Sequence, residues 1–207
     1  MKITIFGATG RTGSQIVRKA LHEHHAVSIM SRQLSRVCFD PELLTIYEGN
    51  VLSGDIVKKA IKGADLVIST IGADDISRPF RMISEGTKNI IDAMTESGIK
   101  RFVGMAGAGI LNHPSGEYNG DVDLDPSLQY LFQDNFRAYK ALNNSTLDWT
   151  LVCPFLMPAG PETGIYRISE NSLPPDPKPV SVNDVASLIY KIAMEGLHIR
   201  TRVGVSL

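Results

Sequence analysis

FGATGRTGSQ, Phe6 to Gln15, sets Gly7, Gly10 and Gly13 at three-residue intervals between the apolar run KITIF (Lys2 to Phe6) and a segment of helical spacing. A strand that turns sharply into a helix leaves free backbone N–H groups and the positive end of a helix dipole facing outward, which suits a pyrophosphate. In this reading Gly7 permits the tight turn. Gly10 lets the backbone approach the phosphates, and Gly13 lets the helix pack closely on the strand. Thr9, Arg11 and Thr12 add donors around the same anion. Glycine spacing alone is weak evidence, but the strand-to-helix setting is the context that dinucleotide binding requires.

Outward from that loop, short β-rich runs alternate with helical patterns. The runs are AVSIM (Ala26 to Met30), LLTIY (Leu43 to Tyr47), DLVIST (Asp65 to Thr70) and RFVGM (Arg101 to Met105). Their near-continuous apolar character predicts a parallel sheet covered on both faces. Helices are predicted over Thr12 to Glu23, Ser53 to Ile61 and Pro79 to Ser97, the last opened by its proline and closed by Gly98. The Gly/Pro/Asp/Asn-rich stretch after Met105 is too long for a simple connection. A helix from Gln129 to Asn144, a sixth strand from Leu147 to Pro154, a Pro/Gly-rich segment to Pro179, a helix from Val182 to Ala193 and a strand from Arg202 to Ser206 complete the pattern. The expectation is one α/β domain over residues 1–207: a Rossmann-type doubly wound parallel sheet, three-layer αβα, of six or seven strands. Its acceptor-site loops fall at about 106–128 and 154–180.

Cofactor choice turns on the end of the second strand, where an NAD-preferring site carries a carboxylate. Ser31 and Arg32 stand there, with Arg36 following. Guanidinium groups pair with a 2′-phosphate, whereas a carboxylate repels it. NADP(H) is therefore expected, with NAD(H) the weaker alternative; the bland reading leaves both arginines as solvated charges. Asn50 and Val51 are placed to flank the adenine. Ser69, Thr70, Ile71 and Gly72 are placed beside the ribose and phosphates, all beyond the carboxyl ends of strands.

The spacing Gly-x-x-Gly-x-x-Gly, with the strand pattern, resembles the atypical short-chain dehydrogenase/reductase superfamily in its NmrA-like NAD(P)H-binding branch. Within it the chain resembles the flavin reductase (biliverdin-IXβ reductase) group through FGATGRTG, GNVLSGD (Gly49 to Asp55), ISEGTKNIIDAM (Ile83 to Met94), FRAYKAL (Phe136 to Leu142), LDWTLVCP and TGIY (Thr163 to Tyr166). The resemblance implies hydride transfer from NADPH to a planar acceptor such as a flavin or quinone, with Ala106, Pro154 and Phe155 beside the cofactor. It also exposes departures. Phe136 precedes Lys140, and Tyr139 precedes Asn143, so the usual Tyr-x-x-x-Lys proton-donating pair is missing. Ala106–Gly107 replaces the group's serine, and Asn135 its histidine. No catalytic residue is assigned. The alternative is a non-catalytic NADP(H)-binding redox sensor or regulator; a sugar-nucleotide epimerase fits less well, because little chain follows Pro154.

Composition narrows the remaining classes. The 207 residues are 43% hydrophobic and 21% charged, with a formal net charge of -1, which gives no electrostatic surface for nucleic acid. No apolar run approaches the ~20 residues of a membrane span. The start shows no secretory leader, and Cys38 and Cys153 lie far apart, so a reducing cytoplasmic setting is expected. No metal is expected. HEHH (His22 to His25) reads as a basic helix end, and Asp74 and Asp75 as a turn and helix cap. Tyr118, Tyr130, Phe132, Tyr139, Phe155 and Tyr166 are the candidates to wall a flat-substrate pocket, with loop packing as the equal alternative. Oligomeric state is left open.

Overall fold

The computed structural model describes residues 1–39 and 42–207. Among the described residues eight strands form one sheet: β1 (Lys2–Phe6), β2 (Ala26–Ser31), β3 (Leu44–Glu48), β4 (Leu66–Ser69), β5 (Arg101–Met105), β6 (Asp148–Pro154), β7 (Arg167–Glu170) and β8 (Thr201–Ser206). Their order is β3-β2-β1-β4-β5-β6-β8-β7. Every neighbouring pair is parallel except β7 on β8. The strand order reverses between β1 and β4, which opens a crevice at the carboxyl edge there.

Helices cover both faces. The helices α1 (Arg11–His22) and α6 (Val182–Glu195) pack together on one side. On the other side lie α2 (Gly54–Ile61), α3 (Met82–Glu96) and α5 (Gln129–Asn143), with the one-turn α4 (Asn119–Val122) between α3 and α5 in sequence. Ile16, Val17 and Ala20 of α1 meet Ile3, Ile5 and Val27 from one face of the sheet. Val57, Ile90, Leu142 and Trp149 fill the opposite layer. Burial from both sides explains why Leu66, Val67 and Ile68 of β4 are consecutive apolar residues.

The expected strand count is corrected from six or seven to eight. The addition is β7, a four-residue edge strand inside the segment read as an irregular Pro/Gly-rich loop. Its residues are mostly exposed and carry no two-residue apolar alternation. Pairing with β8, distant in sequence, makes it a strand. A second correction concerns α3, which opens at Met82 rather than Pro79. The buried carboxylate of Asp134, on α5, accepts from the N–H of Ile83 at 2.8 Å and of Ser84 at 3.3 Å and also binds the Ser84 hydroxyl. This cap comes from 51 positions away, beyond the reach of a local pattern.

Candidate functional site

The β1 loop is shaped by close backbone approach. Gly7 has φ +76°, a left-handed conformation costly for other residues. A Cβ on Gly13 would lie 2.2 Å from the Gly7 carbonyl oxygen and 2.7 Å from Thr70 Oγ1. Only glycine lets α1 sit this close to β1 and β4. At Gly10 the nearest atom would be the Gly7 carbonyl oxygen at 3.2 Å, a tight contact but a far less severe one than at Gly13. Gly10 is the N-cap of α1 and supplies no side chain to it. Among the described residues the N–H groups of Arg11, Thr12 and Gly13 have no hydrogen-bond acceptor. A glycine loop ending in free N–H groups at a helix start has the polarity that suits an anion.

From this loop a cleft of about 1420 Å³ extends along the carboxyl edge of the sheet. All the sequence-derived cofactor candidates line it except Gly13, which is packed beneath the loop, and Ser69, which is buried in β4 beside a small adjoining cavity. Gly7, Thr9, Gly10, Arg11 and Thr12 form one stretch of wall. Ser31, Arg32 and Arg36 form the end beyond β2, and Asn50 and Val51 the corner beyond β3. Thr70, Ile71 and Gly72 continue from β4, while Ala106, Pro154 and Phe155 stand at the far end.

Several polar groups have partners that sequence did not suggest. Arg32 Nη2 donates to Asp74 Oδ2 at 2.8 Å, so the segments after β2 and β4 are joined across the mouth. Asp74 thus lines the cleft as an ion-pair partner rather than as a helix cap. Asp75 accepts from the Ser77 N–H and hydroxyl and meets Arg78, which together hold its carboxyl below the usual range. Arg11 donates to the Met157 carbonyl at 3.0 Å, tying the glycine loop to the segment after β6. The Ser31 hydroxyl is taken up in the turn at Gln33. Arg36, by contrast, has no ion pair among the described residues.

The far end of the cleft is more apolar. Ala106, Ile110, Leu128, Leu131, Phe132 and Phe155 contribute to it, together with Asn135. Asn135 is buried and donates to the Leu131 carbonyl at 2.9 Å. Of the six aromatic candidates, Phe132 and Phe155 line the cleft. Tyr118 and Tyr139 instead pack with Phe136 and Trp149 in an aromatic cluster. Burial raises the Tyr139 hydroxyl above its ordinary pKa, against a smaller opposing pull from Arg202. Tyr166 packs against the core layer on the other side, and Tyr130 lies outside the cleft wall.

Behind that end, Arg202 is 6% exposed. Its guanidinium binds the Ile110 carbonyl and Asn112 Oδ1 and lies 4.7 Å from the Tyr139 ring centre. Asn112 also takes a bond from its own N–H to the Asn171 carbonyl, which joins the two loops that border the far end. His113, a cleft residue that sequence reading passed over, accepts at Nδ1 from the Ser115 N–H and points Nε2 to Asp123 at 3.4 Å. Its only local signal was the following proline in a loop-rich stretch.

The remaining family markers have packing duties. Gly86 of ISEGTKNIIDAM leaves room for Val51, and Asn89 Nδ2 donates to the Val51 carbonyl. Asp184 accepts from the N–H groups of Thr163 and Gly164 and from the hydroxyls of Thr163 and Ser181, which fixes TGIY. His22 closes α1 as part of a basic last turn. Among the described residues no three His, Cys, Asp or Glu side chains are grouped to hold a metal. No described helix is long and apolar enough to cross a membrane.

The NAD(P)H-binding family model matches residues 7–195. The photosystem II assembly factor Ycf39 of Synechocystis sp. is 37% identical over 107 residues, covering 50% of this chain and 32% of that protein. Across the first curated relatives, the chain spans from 32% to 61% of their length. Its fold is shared with a Streptococcus pneumoniae protein provisionally named an NADH-flavin reductase, at TM-score 0.85 and 22% identity, over 100% of this chain and 99% of that one. It is shared also with a Veillonella parvula short-chain dehydrogenase/reductase in complex with NADP, at TM-score 0.80 and 22% identity, over 100% and 94% of the two chains. The glycine loop at the strand-order reversal lies within the matched residues, and the chain belongs to the NAD(P)H-binding family, on a Rossmann fold.

Proposed function

We propose that this protein is an NADPH-dependent oxidoreductase that passes hydride to a planar acceptor of the flavin or quinone class. The carrying observation is the continuity of the cleft from the glycine loop to the apolar end around Phe132 and Phe155. Its volume exceeds the roughly 300–1,000 Å³ of an ordinary small-molecule site, as expected where cofactor and acceptor sit together. Residues 1–207 act as one NAD(P)-binding unit, with 106–128 and 154–180 as the acceptor-site loops. The N–H groups opening α1 hold the pyrophosphate, with Thr9 and Thr12 beside it. Arg32 and Arg36 pair with the 2′-phosphate. Asn50 and Val51 flank the adenine; Thr70, Ile71 and Gly72 follow the ribose; Ala106, Pro154 and Phe155 border the nicotinamide. Gly13 and Ser69 serve by packing.

The bound dinucleotide supplies the hydride; the protein's own residues orient the two rings and exclude water from between them. Met105 and Ile110 form the apolar wall against which a flat ring rests. Asn135 is an amide where a proton donor would stand, which restricts the acceptor to rings that take their proton from solvent. The two free thiols, Cys38 exposed and Cys153 buried, go with a reducing cytoplasmic setting.

A second reading, a non-catalytic NADP(H)-binding sensor, is favoured by the turning of Tyr139 into the aromatic cluster. NADPH and NADH titrations followed by NADPH oxidation with riboflavin, FMN and menadione decide between the two. Tight NADPH binding with acceptor-dependent oxidation supports the enzyme. Tight binding with no turnover on any acceptor supports the sensor.

A further inference from the structure

Arg32 follows β2 and Asp74 follows β4, and β1 lies between those strands in the sheet. Their 2.8 Å ion pair therefore bridges the carboxyl end of β1, over the groove that leads from the glycine loop to the β2 side. Both side chains line the cleft, and they are 45% and 74% exposed. Neighbouring charges leave this pair distinct. Asp75 is engaged by Ser77 and Arg78, and Arg36 has no carboxylate among the described residues.

We propose that Asp74 is an internal competitor of the cofactor's 2′-phosphate for Arg32, and so sets the preference between NADPH and NADH. This rests on the NADP reading above. Asp74 holds one terminal nitrogen of the guanidinium, so a phosphate that pairs with Arg32 either displaces the carboxylate or shares the guanidinium with it, and in both cases meets the repulsion of a nearby like charge. An unphosphorylated ribose meets no such conflict. The intact pair offers it a carboxylate, the kind of acceptor that ribose hydroxyls use at NAD sites. Asp74 thus narrows a preference that Arg32 and Arg36 alone would make steeper. Because the pair is exposed, its effect is modest and falls with salt.

The test compares wild type, Asp74→Asn, Arg32→Ala and the double variant, titrated with NADPH, NADH, 2′,5′-ADP and 5′-AMP at low and high salt. The two nucleotides without nicotinamide report on the adenosine end alone. Asp74→Asn should tighten NADPH and 2′,5′-ADP by about 3- to 10-fold. NADH and 5′-AMP should stay within about 2-fold or weaken, and high salt should shrink the gain. In the Arg32→Ala background the Asp74 change should bring no more than a small part of that gain. The proposal is overturned if Asp74→Asn leaves 2′,5′-ADP unchanged or weaker, if it tightens NADH equally, or if the full gain survives without Arg32. If wild type prefers NADPH, Arg32→Ala abolishes that preference and Asp74→Asn is silent, the competition fails while the NADP reading stands. Equal wild-type affinities for NADPH and NADH, unaltered by Arg32→Ala, remove both.

Discussion

Around β1 and β4 the cleft wall is defined by side chains that are missing. Gly7 and Gly13 bring backbone to within touching distance of Thr70, and the binding groups left over are main-chain N–H donors. Past β5 the wall is defined by side chains that are present: Arg202 behind Ile110 and Asn112, Phe132 against Gly109 and Gly120, and Asp184 under Thr163 and Gly164. Backbone seats bind what every nucleotide cofactor shares, its phosphates, and need little sequence beyond glycine. Under the proposed function the side-chain walls select the acceptor, and they draw on residues from distant parts of the chain. One half of the cleft is general and local, the other particular and long-range.

The sharpest way to break this contrast is at Gly13. Gly13→Ala should overpack the loop by about 1–3 kcal/mol and lower NADPH affinity about 100-fold by displacing the anion seat. Gly10→Ala should cost stability only about 0.5 kcal/mol yet weaken NADPH about 10-fold, because under the proposed function its Cβ would stand in the phosphates' approach. Thermal melts and fluorescence titrations separate the two. Equal effects at both positions would contradict a division between packing and binding glycines.

Arg202 tests the other half. Arg202→Leu strands the Ile110 carbonyl and the Asn112 side chain, and should cost about 2–4 kcal/mol in urea unfolding. NADPH affinity should remain within about 2-fold while the acceptor KM rises. A parallel loss of cofactor binding would mean that the halves are coupled rather than separately built.

The smallest effect is expected at Asp184, where burial alone would raise the carboxyl's pKa. Hydrogen bonds from Gly164, Thr163 and Ser181 outweigh that burial and hold it below the ordinary 3.8. The folded chain then binds this proton less readily than the unfolded one, so its contribution is complete above about pH 4 and lost as pH falls through the lower folded value. Asp184→Asn should cost about 1–2 kcal/mol at pH 7. Its gap from wild type should close below pH 4, as read by denaturant midpoints across pH.

Legibility in the sequence followed the same division. Both boundaries of β1 and β5 were readable because each is a five-residue run, too short for a helix of its own, whose β-branched and aromatic residues lie just before a glycine or alanine. That these residues share one cleft was readable because glycine spacing and the position after each strand are local facts. The arginine at 32 was legible as a cation, but its partner Asp74, 42 positions away, was not. Tyr139 sat at helical spacing compatible with either the cleft or the core. Its contacts with Trp149 and Arg202, both from strands laid beside α5 by the fold, turned it to the core. The β7 strand escaped notice for a like reason, since its pairing partner β8 lies beyond α6.

By itself the sequence determined the winding of the sheet, the glycine loop between β1 and α1 and the absence of a Tyr-x-x-x-Lys pair on α5, because each is written in neighbouring residues whose backbone preferences and periodicity act over a few ångströms. Only the tertiary structure decided which charges face one another across the mouth, which aromatics line the far end and where α3 begins. Those outcomes rest on contacts between segments that chain folding alone brings together, and no local preference encodes them.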